Sequence, residues 1–177
     1  MRAILSSILM TMLLAGVAVA QPGEPTAETR EAMARLSFLV GSWKGDAWTQ
    51  MGPQREEMTQ TESVAAHLDG LVIVIDGEGR LKSNPDKIVH LAFATITYDP
   101  ETKGYRVLAV RKDGKSVDAT GTFTEDGAFQ WGFAMMGGSV RFLIRLTEAG
   151  EWLETGEFSA DGAVWKQYLE MRLKRAE

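Results

Sequence analysis

Two periods divide the chain. Between Thr26 and Val40 the apolar residues Met33, Leu36 and Val40 fall on one helical face, behind a capping threonine and the first-turn acid Glu28, which predicts one short amphipathic helix. Beyond Gly41 apolar residues alternate with polar ones, as they do when successive side chains of an extended strand point to opposite faces of a sheet. Val140, Phe142, Ile144 and Leu146 share one face, while Arg141, Arg145 and Thr147 share the other. Phe129, Trp131, Phe133 and Met135 line a second such apolar face. Trp165, Leu169, Met171 and Leu173 line a third, with Gln167 as its polar member.

Turn signals punctuate the alternation. Asp69-Gly70, Asp113-Gly114, Asp126-Gly127 and Asp161-Gly162 suit tight hairpins, whose primed two-residue turns want positive φ at both central positions. From Asp113 onward the turns recur about every twelve residues, leaving strands of about nine or ten residues between two-residue connections. Tyr98 to Gly104, with Pro100, reads as a longer hairpin loop, and Gly79 to Lys87, with Asn84-Pro85, as a less regular one. Pro53, Pro85 and Pro100 all fall between predicted strands, as expected of a residue that cannot donate to a ladder. Strands are predicted at 43–50, 55–66, 71–77, 88–98, 104–111, 116–124, 128–136, 139–147, 151–159 and 163–174. So many long consecutive antiparallel strands should curl and close, which removes their edges. The expected fold is all-β, an up-and-down antiparallel barrel of about ten strands with a short N-terminal helix. Such a barrel is wider than the eight-stranded kind, so its interior should be hollow, apolar and aromatic.

Composition narrows the class further. The 177 residues, 45% hydrophobic and 24% charged, suffice for one domain with its own core, here 26–177. The absence of cysteine excludes disulfides, thiol catalysis and zinc–cysteine sites. A net charge of -5 without a long basic stripe argues against nucleic acid as a partner; Lys166, Arg172, Lys174 and Arg175 read as the solvated face of a last strand. Residues 1–20 carry Arg2, an apolar run from Ile4 to Val17 and then Ala18-Val19-Ala20, the pattern of a secretory leader cleaved before Gln21, with 21–25 as a linker. The expected location is periplasmic or secreted, with no membrane span in the mature chain.

The helix leading into Leu39-Val40-Gly41-Ser42-Trp43-Lys44-Gly45 resembles the start of calycins, the superfamily of lipocalins, fatty-acid-binding proteins and nitrobindins. In that superfamily a G-x-W plugs the closed end of the barrel and an arginine of the last strand packs across the indole. The resemblance implies Gly41 and Trp43 in the first role and Arg172 in the second. The order of leader, helix, G-x-W, Tyr98-Asp99-Pro100 hairpin and basic last strand is similar to that of exported bacterial lipocalin-like proteins. Nitrobindins hold haem through a histidine near the C-terminus; here no histidine follows His90, so no cofactor is expected and haem is disfavoured.

Chemistry-bearing motifs are sparse. His67 precedes the Asp69-Gly70 turn, whereas His90 shares a face with Ala92, Ala94 and Ile96 and should enter the lumen. The two form no metal-ligand pair, and Gly41-Ser42-Trp43-Lys44-Gly45 has its serine misplaced for a nucleophile elbow. The candidate lumen residues are His90, Tyr105, Phe129, Trp131, Phe133, Met135, Phe142, Trp165 and Gln167, a mostly apolar lining with a few polar groups. Such a lining points to binding of a small hydrophobic or amphipathic molecule without catalysis. Two alternatives are an envelope isomerase or hydrolase with His90 as acid or base, and a protein-interaction module using an exposed rim.

Overall fold

In a computed structural model, described for residues 23–176, the chain forms a closed antiparallel barrel of ten strands. The predicted leader and the first two linker residues lie outside the described residues. Helix α1 (Ala27–Ala34) starts at Thr26, whose Oγ1 accepts the Thr29 N–H at 3.1 Å. The helical face predicted through Val40 is divided: α1 stops at Arg35, a 3₁₀ turn spans Ser37–Leu39, and Val40 is already extended. This break turns the chain so that Met33, Leu36 and Leu39 all become buried.

The strands are β1 (Gly41–Thr49), β2 (Glu56–His67), β3 (Val72–Leu81), β4 (Asn84–Asp99), β5 (Gly104–Arg111), β6 (Ser116–Phe123), β7 (Phe129–Met135), β8 (Gly138–Leu146), β9 (Trp152–Ser159) and β10 (Lys166–Arg175). Each pairs with its neighbours in sequence, and β1 with β10 closes the ring, Trp43 facing Arg175 and Thr49 facing Leu169. Closure satisfies every edge, which an open sheet of this size would leave exposed.

Two loop readings are corrected. The segment from Gly79 to Lys87 is not a loop: β3 runs to Leu81, β4 begins at Asn84, and Pro85 lies within β4. Irregular pairing between Gly79 and Leu81 absorbs the proline, and the Arg80 guanidinium bonds both Glu78 Oε1 at 2.6 Å and the Pro85 carbonyl at 3.1 Å. The hairpins after Asp113, Asp126 and Asp161 are not two-residue primed turns either, since positive φ falls on the glycine of each pair and not on the aspartate. At Asp126 the Gly127 N–H bonds Thr124 O and the Thr124 N–H bonds Ala128 O, a longer connection in which a single left-handed residue suffices.

Candidate functional site

One end of the barrel is sealed. Trp43 points inward from β1 and donates its indole N–H to Leu39 O at 2.7 Å, while its ring meets Trp152 edge to face at 5.7 Å between centroids. The guanidinium across Trp43 is that of Arg175, with Cζ 4.0 Å from the ring centroid and bonds to the carbonyls of Val40 and Phe38. Arg172, expected in this role, instead faces outward and meets Glu151 at 3.3 Å. The reason is register: β10 reaches its end beside Trp43, so Arg175 is the residue opposite it. Gly41, at φ +134°, makes the contact feasible, because a Cβ there would collide with the Arg175 guanidinium. Tyr105 and Phe129, two of the expected lumen residues, belong to this floor: both are buried, their rings meet at 5.3 Å, and the Tyr105 hydroxyl donates to Ala32 O at 2.7 Å.

The other end is open. His90, Trp131, Phe133, Met135 and Phe142 face inward in the register of β4, β7 and β8, as the alternation predicts. Although they point into the barrel, none is buried, and the same holds for Ala92, Ala94, Ala109, Phe158 and Leu169. Inward-facing side chains that keep partial exposure mark the upper half as less tightly packed than the floor and open toward the mouth. Its wall is asymmetric. Alanines of β4 and β5 line one part of it, and another part is aromatic, where Trp131 and Phe142 stack at 4.4 Å and Phe142 meets Tyr168 at 6.3 Å. At the rim the apolar side chains of Met51, Met136 and Val164 are exposed, Met136 at 99%.

Between floor and mouth lies a polar cluster that the reading for candidate residues missed. Gln60, Glu62 and Glu154 point inward and are 0%, 5% and 8% exposed. Gln60 Nε2 donates to Glu62 Oε1 at 2.7 Å, and the Trp152 indole N–H donates to Glu154 Oε2 at 3.3 Å. Gln60 Oε1 is buried without a hydrogen-bond partner. Room for these groups comes from β3: a Cβ on Gly77 would lie 2.6 Å from the Glu62 carboxylate, and one on Gly79 would lie 2.5 Å from Gln60 Oε1. Burial pushes the Glu62 carboxyl up to about 7, against the hydrogen bond from Gln60 and helped by Asp76. Burial and the neighbouring Glu62 push Glu154 up to about 8. The signal was present in the alternation, because the period that turns Met58 and Val64 inward turns Gln60 and Glu62 inward with them.

Two expected lumen residues are outside. The pairing shifts between Gln167 and Leu169, and this bulge brings Tyr168 inward, where burial raises its phenol to about 12. Gln167 is exposed and bonds Glu170, while Trp165 carries the Arg141 guanidinium 4.2 Å from its ring centroid on the outer wall. There Trp165 and Arg141 border a shallow groove of about 370 Å³ over β6 to β8. His67 is exposed at the sealed end; His90 is half-buried, and desolvation lowers its pKa and favours the neutral ring. Among the described residues no cluster of His, Asp and Glu could hold a metal ion, and no helix is long and apolar enough to cross a membrane.

The barrel is similar to two solved structures. One is Rv2717c from M. tuberculosis, at 17% identity and a TM-score of 0.64, covering 82% of this chain and 98% of that one. The other is the S-type phycobiliprotein lyase CPES from Guillardia theta, at 16% identity and a TM-score of 0.57, covering 86% and 99%. At these identities the likeness concerns the fold, and it fits a calycin-like barrel. A comparison with curated proteins gives no match. A family model matches residues 28–175, and the chain thus belongs to the family described as Protein of unknown function (DUF1579).

Proposed function

We propose that this protein is an exported binder that holds one small amphipathic molecule in the open half of its barrel and does not transform it. The observation that carries this reading is the incompletely buried inward lining at the open end, the alanines of β4 and β5 and the aromatic side chains of β7 and β8, above a closed tryptophan floor. Binding sites commonly combine such an apolar wall with a few placed polar atoms, here those of Gln60, Glu62 and Glu154. The exposed methionines at the rim suit the passage of ligands of variable shape. That a solved neighbour is named a phycobiliprotein lyase is in keeping with small-molecule handling on this fold. Export rests on the leader pattern of residues 1–20, and a mature N-terminus at Gln21 is the expected mass-spectrometric result.

The test is titration with the neutral dye Nile red, together with native mass spectrometry of gently purified protein. One dye molecule per barrel, binding saturably and displaced by octanol, is expected; no saturable binding at any dye concentration would overturn the reading. The same reading holds the lumen free of haem, and a Soret shift on haem titration that is lost in His90→Ala would overturn that part.

A further inference from the structure

The polar atoms at the base of the lumen are acceptors in search of donors. Gln60 Nε2 and Trp152 Nε1 are the N–H groups that serve this cluster, and each is committed, to Glu62 and to Glu154. Left over are Oε2 of Glu62, Oε1 of Glu154 and the buried, unpartnered Oε1 of Gln60. A buried acceptor without a partner forfeits its hydration for nothing, and a buried carboxylate without a counter-charge costs more still. Neither glutamate forms an ion pair among the described residues; the charged or titratable groups felt from neighbouring strands are Asp76 of β3, the other glutamate and Tyr168 of β10. Arg111, at the mouth end of β5, is held by Asp113 at 2.6 Å.

Resting on the reading of the lumen as a binding site, we propose that its ligand carries a cationic, multiply donating nitrogen head, an alkylammonium or related cation, that descends to Gln60, Glu62 and Glu154 while its apolar tail stays among Trp131, Phe142 and Phe158. An ammonium has three N–H donors and no acceptor, matching the three free oxygens in kind and supplying the counter-charge. A carboxylate head would bring a further negative charge to a cluster that already disfavours ionisation, and a hydroxyl brings a single donor and no counter-charge. The Gly77 and Gly79 gaps let Glu62 and Gln60 lie back against the wall of β3, where a Cβ would otherwise meet their oxygens.

The experiment is competition against bound Nile red by three octyl compounds of equal tail: octylammonium, octanol and octanoate. At neutral pH octylammonium is expected to displace the dye at about tenfold lower concentration than octanol, the value of one charge-assisted hydrogen bond, with octanoate weakest. In Glu62→Gln/Glu154→Gln the ammonium preference should fall to about that of octanol. Because a bound cation favours the ionised form of the two glutamates, their carboxyl protons pass to solvent on binding, so uptake of octylammonium by the unmodified protein should also acidify a weakly buffered solution, and octanol should not. Equal displacement by octylammonium and octanol, or a preference for octanoate, would overturn this inference while leaving the binder reading intact. Failure of Nile red itself to bind would overturn both.

Discussion

At the scale of single residues, the buried carboxyls link the fold to pH. The folded-state pKa values of Glu62 and Glu154, about 7 and about 8, lie above the ordinary value of 4.5, so the folded barrel binds more protons than the unfolded chain. Their favourable contribution is complete below about pH 4.5, declines as pH rises through 7 and 8, and is gone above that. The ligand-free protein should therefore lose a few kcal/mol of stability between pH 5 and pH 8. Glu154→Gln should remove most of that loss, melting higher than the parent at pH 8 and close to it at pH 5; thermal denaturation at the two pH values checks this. A flat parent profile would mean that water or a counter-ion already neutralises the pair. Gly79 serves the same cluster through space. A Cβ there would lie within 2.5 to 2.9 Å of Gln60 Oε1, Met58 Sδ and His90 Cβ, so Gly79→Ala should destabilise by about 1–3 kcal/mol in urea titration, a cost typical of overpacking.

At the scale of elements, closure is the uncommon event. Every ladder except β1–β10 joins strands that follow one another in sequence, so only this seam brings the ends of the chain together. Arg175 clamps it by spanning from β10 to the Phe38 and Val40 carbonyls beneath the Trp43 ring. Arg175→Ala should lower stability by about 1–2 kcal/mol, leaving two carbonyls without their donor, whereas Arg172→Ala, which loses an exposed pair with Glu151, should cost less than about 0.5 kcal/mol. Equal effects on the melting temperature would contradict this assignment. The contrast also marks the limit of what the amino-acid pattern conveys. Alternation places β7 and β8 and their inward aromatics because each strand there is regular, and a period of two carries from one end to the other. It fails on β10, where one extra residue near Tyr168 reverses the parity and sends Trp165 and Gln167 outside. It fails again for the arginine, because which residue faces Trp43 depends on the stagger between the first and last strands, a long-range quantity with no local signature. Glu62 and Glu154 were legible as inward positions, but an acidic residue on an inward face reads as a fault in the pattern until the glycines opposite Glu62 show the room made for it.

At the scale of the whole molecule, the barrel divides its interior between stability and function. The sealed half has the features of a core: Leu36, Leu39, Trp43 and Phe129 are at most 1% exposed, and α1 is fastened to it by Tyr105 and by Tyr98, whose hydroxyl donates to Glu28 at 2.9 Å. The open half forgoes that packing, since its inward alanines are only partly buried where a filled barrel would place larger side chains. If this space is kept for a ligand, filling it should cost binding and not folding. Ala109, which pairs with Ala94 on one side and Val117 on the other, is the position to fill. Ala109→Phe buries new apolar surface in the open half without reaching the tryptophan floor, so its melting temperature should match or exceed that of the parent. Its affinity for Nile red should fall by tenfold or more. Phe93→Ser, on the outer wall, removes an exposed ring and should leave dye binding as in the parent. A destabilised Ala109→Phe would mean that the lumen is already packed, and undiminished dye binding would place the dye elsewhere, with the outer groove beside Trp165 the first surface to probe by Trp165→Ala. The paired loss of binding and retention of stability is the outcome that separates a hollow kept for a guest from a hollow left by imperfect packing.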